Sequence, residues 1–236
     1  MSSSCVATDR RNRARRIGVP AISTDLFKKS YTTVPEELGP AILAFCDGIS
    51  SDTMPLYVSV RAEDDAQPSE CFNNVTAKVS RDGGSLVYGW LIWEWPRVFI
   101  EAEHHAVWEK DGVLTDITPP INGETNILFL PDPTRTYDFV GQRRLINIKK
   151  SLGLFASVPD WIRAADTLQR TIERHSVGNQ FTMDRDHLAA LGRDVQQSLG
   201  AVFVDLARYT GPNDRCFCQS GKKFKKCCSQ LIQLHP

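Results

Sequence analysis

Residues 97–117 read RVFIEAEHHAVWEKDGVLTDI and set the architecture of the chain. The runs 97–110 and 113–117 have the character of β-strands. The Asp111-Gly112 pair between them is a tight turn signal. The segment therefore predicts an antiparallel hairpin, with His105 on its first strand and Asp116 on its second.

The sequence on both sides extends this hairpin into a mixed fold. Further strands are predicted at 56–60, 86–93 and 127–130, and helices at 34–47, from Cys71 onward, at 159–174 and at 184–209. The fold class predicted is α+β, with a central antiparallel sheet and helices. The predicted divisions are a basic disordered arm (1–16), a sheet domain (17–143), a helical segment packing on or bridging from it (144–210) and a metal-binding tail (211–236).

Composition excludes several classes of protein. The 236 residues are 42% hydrophobic and 24% charged, which excludes a fibrous or wholly disordered chain. The longest apolar runs, such as Ile127 to Leu130, have the length of a strand and not of a membrane helix. The N-terminus has no apolar segment after its charges and does not resemble a secretory signal. We therefore expect a cytoplasmic protein without a membrane partner.

Charge and cysteine are unevenly distributed along the chain. Residues 1–16 carry five Arg and one Asp, residues 211–236 carry five basic residues and one Asp, and the overall charge is zero, so 17–210 are acidic. Four of the seven cysteines fall within thirteen residues. An odd number of cysteines without a secretory signal favours metal binding or catalysis over a disulfide framework.

The C-terminal cysteines have the spacing of a metal site. Cys216, Cys218, Cys227 and Cys228 form a C-x-C-x8-C-C pattern. Four thiolates complete the tetrahedral shell of a structural Zn²⁺, and the intervening loop contains Gly221, which lets the chain return to the ion. A segment this short has no core of its own, so metal binding would supply its folding free energy. Zinc is the cofactor that the pattern predicts.

The tail GPNDRCFCQSGKKFKKCC, residues 211–228, resembles the SEC-C metal-binding motif, which usually reads GRNDPCPCGSGKKYKKCC or ends in CH. Pro212, Arg215, Phe217 and Gln219 depart from that pattern, and none of them is a ligand. The resemblance implies a zinc-stabilised interaction module. It also implies docking to a protein or ribosome partner through the basic knuckle, with binding of nucleic acid left open.

A second group of residues suggests nucleophilic catalysis. Cys71 precedes a predicted helix, whose N-terminus would favour a thiolate. His105 and Asp116 lie within about two rungs of each other across the predicted hairpin. A thiolate, a histidine that shares its proton and a group that orients the histidine are the components of nucleophilic cysteine catalysis.

The order of Cys71, His105 and Asp116 resembles that of papain-like and transglutaminase-like enzymes. His105-Ala106-Val107 is similar to the sequence around the papain-type histidine, and Asp116-Ile117-Thr118-Pro119 to a transglutaminase turn. The resemblance implies acyl transfer from a peptide or amide substrate, by hydrolysis, deamidation or transamidation. Gln67 would donate to the oxyanion, and the chain has no Cys-Trp dipeptide at the nucleophile, in contrast to papain-like peptidases.

Two alternatives remain open from the sequence. By strand parity Glu101, Glu103 and His105 share a face, and with Asp116 they have the ligand types of a metallohydrolase site. The other alternative is a non-enzymatic adaptor, in which the sheet is structural and the zinc knuckle docks a partner.

Overall fold

A computed structural model describes residues 21–177 and 180–234. The predicted basic arm, residues 1–16, lies outside the described residues. None of the helices in the described ranges combines the length and the apolar character that a membrane crossing requires.

The described chain contains four α-helices and ten strands. The helices are α1 (Pro40–Asp47), α2 (Cys71–Asp82), α3 (Val158–His175) and α4 (Arg185–Tyr209). The strands are β1 (Ala21–Ile22), β2 (Leu56–Val60), β3 (Ser85–Trp95), β4 (Phe99–Lys110), β5 (Val113–Asp116), β6 (Asn126–Pro131), β7 (Ile148–Ser151), β8 (Ser176–Val177), β9 (Gln180–Phe181) and β10 (Ile232–Gln233). The predicted α+β class is confirmed.

The main sheet closes on itself. Its strands pair in the order β3-β6-β2-β5-β4, and β4 pairs again with β3, so that five strands form a ring, with β7 added beside β4. All pairings in this sheet are antiparallel except that of β2 with β5, where Ser59 lies opposite Thr115. The sheet is therefore a small closed barrel, since each of the five strands has a partner on both sides.

Three apolar clusters hold the barrel and its covering helices together. Val58, Val107 and Phe129 belong to a cluster contributed by β2, β3, β4 and β6, which fills the ring. On the outside, α1 packs on one part of the sheet and α2 packs against β4, where Ala106 is fully buried. Buried apolar area of this kind is the main source of fold stability.

A fourth cluster joins the cysteine-rich tail to the rest of the protein. Trp95, at the end of β3, and Phe203, on α4, share this core with Cys216, Phe217 and Cys228. The indole Nε1 of Trp95 donates to the Phe217 carbonyl oxygen over 2.9 Å. Strand β10 also pairs with β1. The tail is thus part of a core that α3 and α4 complete.

Apart from shifts of one or two residues, element bounds differ from the sequence predictions at two places. Helix α1 begins at Pro40 and not near residue 34, because a residue that precedes proline is disfavoured in the helical conformation. The predicted helical segment 144–210 contributes strand β7, whose sequence Ile-Lys-Lys-Ser lacks strand-like alternation. This strand pairs with β4, so the sheet extends past residue 143.

Replacing Gly89 by alanine should destabilise the barrel. An added Cβ would lie 2.3 Å from the Leu130 carbonyl oxygen and 2.5 Å from Phe129 Cζ, closer than packed atoms approach. Overpacking of this kind costs about 1–3 kcal/mol of unfolding free energy. Gly192→Ala on α4 is the matched control, because nothing lies within 4 Å of its added Cβ and a helical alanine stabilises by about 1 kcal/mol. Denaturant unfolding measures both; equal effects would contradict the argument.

Candidate thiol site and metal centre

Cys71 is the first residue of α2, and only 2% of it is exposed. The preceding residue, Glu70, makes no side-chain cap to the helix, so the first backbone N–H groups of α2 are left without that partner. Ser69 has a φ of 62°, a left-handed conformation that is unusual for serine. Such conformations concentrate at functional sites. Because Cys71 begins α2, its thiol lies in the positive field of the helix N-terminus.

His105 and Asp116 form a buried hydrogen-bonded pair. The distance from His105 Nε2 to Asp116 Oδ2 is 3.0 Å, and only 6% and 4% of the two residues is exposed. The other carboxylate oxygen of Asp116 accepts the Thr118 backbone N–H over 3.0 Å. Asp116 is thereby fixed in position and orients the imidazole.

The hairpin brings these two side chains together as the sequence predicted. Asp111 and Gly112 both have positive φ, which two-residue hairpin turns require. Beyond the turn, Trp108 lies opposite Thr115, so His105 and Asp116 stand on neighbouring strands at a diagonal. The hydrogen bond between His105 Nε2 and Asp116 Oδ2 spans the remaining distance between the two strands.

Cys71, His105 and Asp116 all line one cavity of about 50 Å³. Because Nε2 of His105 is bonded to Asp116, Nδ1 is the ring nitrogen left for the thiol. Trp93 and Pro119 also line this cavity. A cavity of this size holds a small reacting group, with the remainder of any ligand outside.

The electrostatics of the site favour a charged imidazole. Burial lowers the pKa of His105, but the charges of Asp116 and Cys71 and the hydrogen bond with Asp116 raise it more, so that it lies well above its ordinary value. A thiolate and an imidazolium are the charge states that nucleophilic cysteine catalysis uses.

Gln67 does not lie in this cavity. Its side-chain Nε2 donates to the Asp65 carbonyl oxygen over 3.3 Å, and Gln67 lines a separate cleft beside α2. The side chain of Gln67 points away from the cavity because residues 67–70 form a tight turn. In this turn the Glu70 N–H donates to the Gln67 carbonyl oxygen. The backbone N–H groups at the start of α2 are the donors that the structure provides instead.

Asn74 is a positioning residue that the sequence did not reveal. Its side chain accepts the Gln67 backbone N–H over 2.9 Å and donates to the Gln67 carbonyl over 2.8 Å. It also donates to Thr118 Oγ1 over 3.2 Å. Asn74 thus connects the loop before Cys71 to the turn after Asp116. In the sequence, the only indication of this role is the position of Asn74 three residues after Cys71 on α2.

The alternative metal face on β4 is engaged in other contacts. Glu101 accepts from Asn147 over 2.8 Å and pairs with Lys149 at 3.4 Å. Glu103 accepts from the Trp93 indole over 2.9 Å. Across the described residues, the one group of at least three close metal-ligating side chains is the C-terminal cysteine quartet. The structure thus gives the metallohydrolase alternative no ligand set.

The four C-terminal cysteines converge on one point. Their sulfur atoms all lie within 4.8 Å of one another. The Cys218 sulfur is 3.5 Å from those of Cys216 and Cys227, and the Cys227 and Cys228 sulfurs are 4.0 Å apart. Four sulfurs about 2.3 Å from a central Zn²⁺ would stand about 3.8 Å apart, so the quartet fits a tetrahedral ion.

The surroundings of the quartet also suit a bound cation and its thiolates. Cys216, Cys218 and Cys228 are buried, and burial together with the neighbouring Cys216 and Cys218 raises the pKa of Cys228. The Lys29 ammonium lies 3.6 Å from the Cys228 sulfur. A cation at the centre would relieve the repulsion among the thiolates.

The family comparison agrees with this geometry. Residues 213–230 match the SEC-C motif. All four cysteines of the quartet lie within the matched residues, and the predicted SEC-C resemblance is confirmed. Neither the curated proteins nor the solved structures compared with the chain include a match.

Two departures from the usual SEC-C pattern have structural explanations. Phe217, in place of the usual proline, is 6% exposed, with ring centroids 6.2 Å from Phe203 and 5.6 Å from Phe224. Phe217 therefore packs the SEC-C motif against α4. Gln219, in place of the usual glycine, keeps a φ of 58°, and its amide donates to the Phe217 carbonyl over 3.2 Å. That hydrogen bond helps to hold glutamine in a conformation that favours glycine.

Proposed function

We propose that this protein is a thiol enzyme of acyl transfer, acting on a peptide or amide substrate, with a structural zinc ion in its SEC-C motif. The observation that carries the proposal is the convergence of Cys71, His105 and Asp116 on one cavity. The papain-like or transglutaminase-like relationship remains part of the proposal. It is supported by the order of the three residues and by the helix-start position of Cys71.

The proposed reaction has two steps. The Cys71 thiolate attacks the substrate carbonyl carbon and forms a C–S bond, and the backbone N–H groups at the start of α2 stabilise the oxyanion. The C–N bond then breaks, and the amine leaves with a proton from His105. Water or a second amine attacks the thioester, returns a proton to His105 and releases the thiolate. Asp116 holds the imidazole in place throughout.

Alkylation by iodoacetamide at pH 7 tests the thiol proposal on the metal-loaded chain. We expect Cys71 to react faster than Cys46, which is an internal reference because burial raises its pKa to about 11. Mass spectrometry of the digested protein gives the extent of modification at each site. Methyl methanethiosulfonate, a smaller reagent, separates access to the cavity from ionisation. Equal, slow modification of Cys71 and Cys46 by both reagents would contradict the enzyme proposal.

Zinc is the metal we propose for the quartet, because four thiolates in a tetrahedral arrangement favour it. The ion would be held by Cys216, Cys218, Cys227 and Cys228, and it would supply a structural cross-link and no reaction step. Elemental analysis of the purified chain should give about one zinc per chain.

The surface of the SEC-C motif supports a second, compatible proposal, that of an adaptor. Lys222, Lys223, Lys225 and Lys226 are all exposed. Their charge suits a protein or ribosome partner with an acidic surface. Co-sedimentation of the chain with ribosomes should weaken on Lys225→Glu/Lys226→Glu substitution and with added salt, while zinc content stays constant. Unchanged sedimentation in the double variant would remove this proposal.

A further inference from the structure

A cleft rich in arginine lies beside the thiol cavity. Its volume is about 510 Å³. Five guanidinium groups line it, those of Arg135, Arg143, Arg144, Arg170 and Arg174, and the one carboxylate in its lining is that of Glu173. So many cations around one cleft leave a large excess of positive charge in a chain whose net charge is zero.

Most of this charge is uncompensated within the protein. Among the described residues Arg143, Arg144, Arg170 and Arg174 form no ion pair, and Arg135 pairs with Asp132 only at 3.8 Å. Like charges held close together repel one another, and an anion bound between them relieves that repulsion. The cleft therefore has the electrostatics of an anion-binding site.

The cleft is built by rigid elements. Arg170 and Arg174 are four residues apart on α3 and so share one helix face. The two loops that carry the other arginines are joined by His104, which is 1% exposed. His104 Nε2 lies 2.8 Å from the Arg135 carbonyl oxygen, and His104 Nδ1 accepts the Leu145 N–H over 3.2 Å. These bonds fix both loops to β4.

Arg144 connects the cleft to the thiol site. It lines the 510 Å³ cleft and also the cavity that contains Cys71, His105 and Asp116. The two cavities therefore meet at Arg144, and a ligand that lies along the arginines is placed beside the thiol cavity.

We propose that the arginine cleft binds an acidic segment of a polypeptide substrate and directs a neighbouring amide of that substrate to Cys71. Arginine forks match carboxylates in two-point contacts. The cleft is also lined by Leu145, Ile146 and Ile148, whose apolar surface can contact the side-chain methylenes of glutamate. The aromatic residue of the cleft, Trp90, is 2% exposed and offers no face on which a nucleic-acid base could stack. The role as a substrate cleft rests on the proposed function, whereas binding of the acidic segment does not.

Binding is tested on the full, metal-loaded chain carrying Cys71→Ala, so that no reaction is needed. The probe is a fluorescein-labelled hexaglutamate peptide followed by fluorescence anisotropy. Arg143→Gln/Arg170→Gln should weaken its affinity at least tenfold. The control, Arg193→Gln/Arg208→Gln, removes the same charge from exposed positions on α4 outside the cleft and should change affinity less than twofold. Equal losses in the two variants would overturn the proposal, as would tighter binding of hexauridylate RNA than of hexaglutamate.

The link to the thiol is tested separately with the native Cys71. Saturating hexaglutamate should slow alkylation of Cys71 severalfold, and Arg143→Gln/Arg170→Gln should abolish that protection. Binding without protection would overturn the assignment as a substrate cleft. If Cys71 proves unreactive even in the free protein while hexaglutamate still binds through the cleft arginines, the enzyme proposal fails and the acidic-peptide site stands.

Discussion

Alkylation of Cys71 at pH 6 should slow about tenfold or more when His105 is replaced by glutamine. An ordinary cysteine is almost entirely protonated at that pH, and the imidazole of His105 lines the same cavity as the thiol. Burial disfavours the charge on His105, yet Asp116 and Cys71 raise its pKa well above the ordinary value. The imidazolium is therefore favoured at pH 6, and its removal leaves the thiol without that partner. The rate of iodoacetamide labelling against pH measures the effect.

Two further variants show whether the effect belongs to the pair. Asp116→Asn keeps the shape of the side chain and removes the charge that holds the imidazolium, so it should also slow labelling at pH 6. Glu103→Gln removes a carboxylate from the same cavity, but Glu103 bonds to Trp93 and not to His105. It should leave the labelling rate within about twofold. If Glu103→Gln slows labelling as much as Asp116→Asn does, a specific pair of His105 and Asp116 is ruled out.

Replacing Cys228 by serine should abolish metal binding and lower the free energy of unfolding by about 3 kcal/mol or more. Cys228 is fully buried and belongs to the core that also contains Trp95 and Phe203. Loss of the ion would therefore loosen the contact of the SEC-C motif with β3 and α4 and would not be confined to the tail. Elemental analysis together with denaturant unfolding followed by tryptophan fluorescence measures both effects.

Cys46→Ser is the matched control for this prediction. Cys46 is 1% exposed but lies on α1, in the core between that helix and the sheet, far in sequence from the quartet. Its substitution should cost some stability and leave the metal content unchanged. A Cys228→Ser chain that loses its metal and still unfolds like the wild type would show that the SEC-C motif is independent of the core.

The hairpin and the cysteine quartet could be predicted because both depend on neighbours in the sequence. The turn at Asp111 and Gly112 fixes which residues of β4 and β5 meet, and the spacing of the cysteines alone indicates one metal. Non-local pairings could not be predicted in this way. The parallel contact of β2 with β5 closes the barrel, and nothing in either strand specifies that partner.

The sequence also could not predict the roles of residues that depend on contacts with distant parts of the chain. Gln67 stands four residues before Cys71, but the turn that follows directs its side chain elsewhere. In the sequence, Phe217 is only a departure from the SEC-C motif. Its packing role becomes visible once the fold places Phe203 and Tyr31 beside it. The arginine cleft collects its arginines from three separate segments, which only the fold brings together.

The pairing of β1 with β10 has a consequence for the order of events during synthesis. Ile22 pairs with Ile232, and Lys29 lies against Cys228, so residues 21–29 have their partners about 200 positions later in the chain. A ribosome delivers those partners long after residues 21–29 themselves. The barrel can form while translation continues, whereas residues 21–29 reach these partners only after the cysteine quartet has emerged.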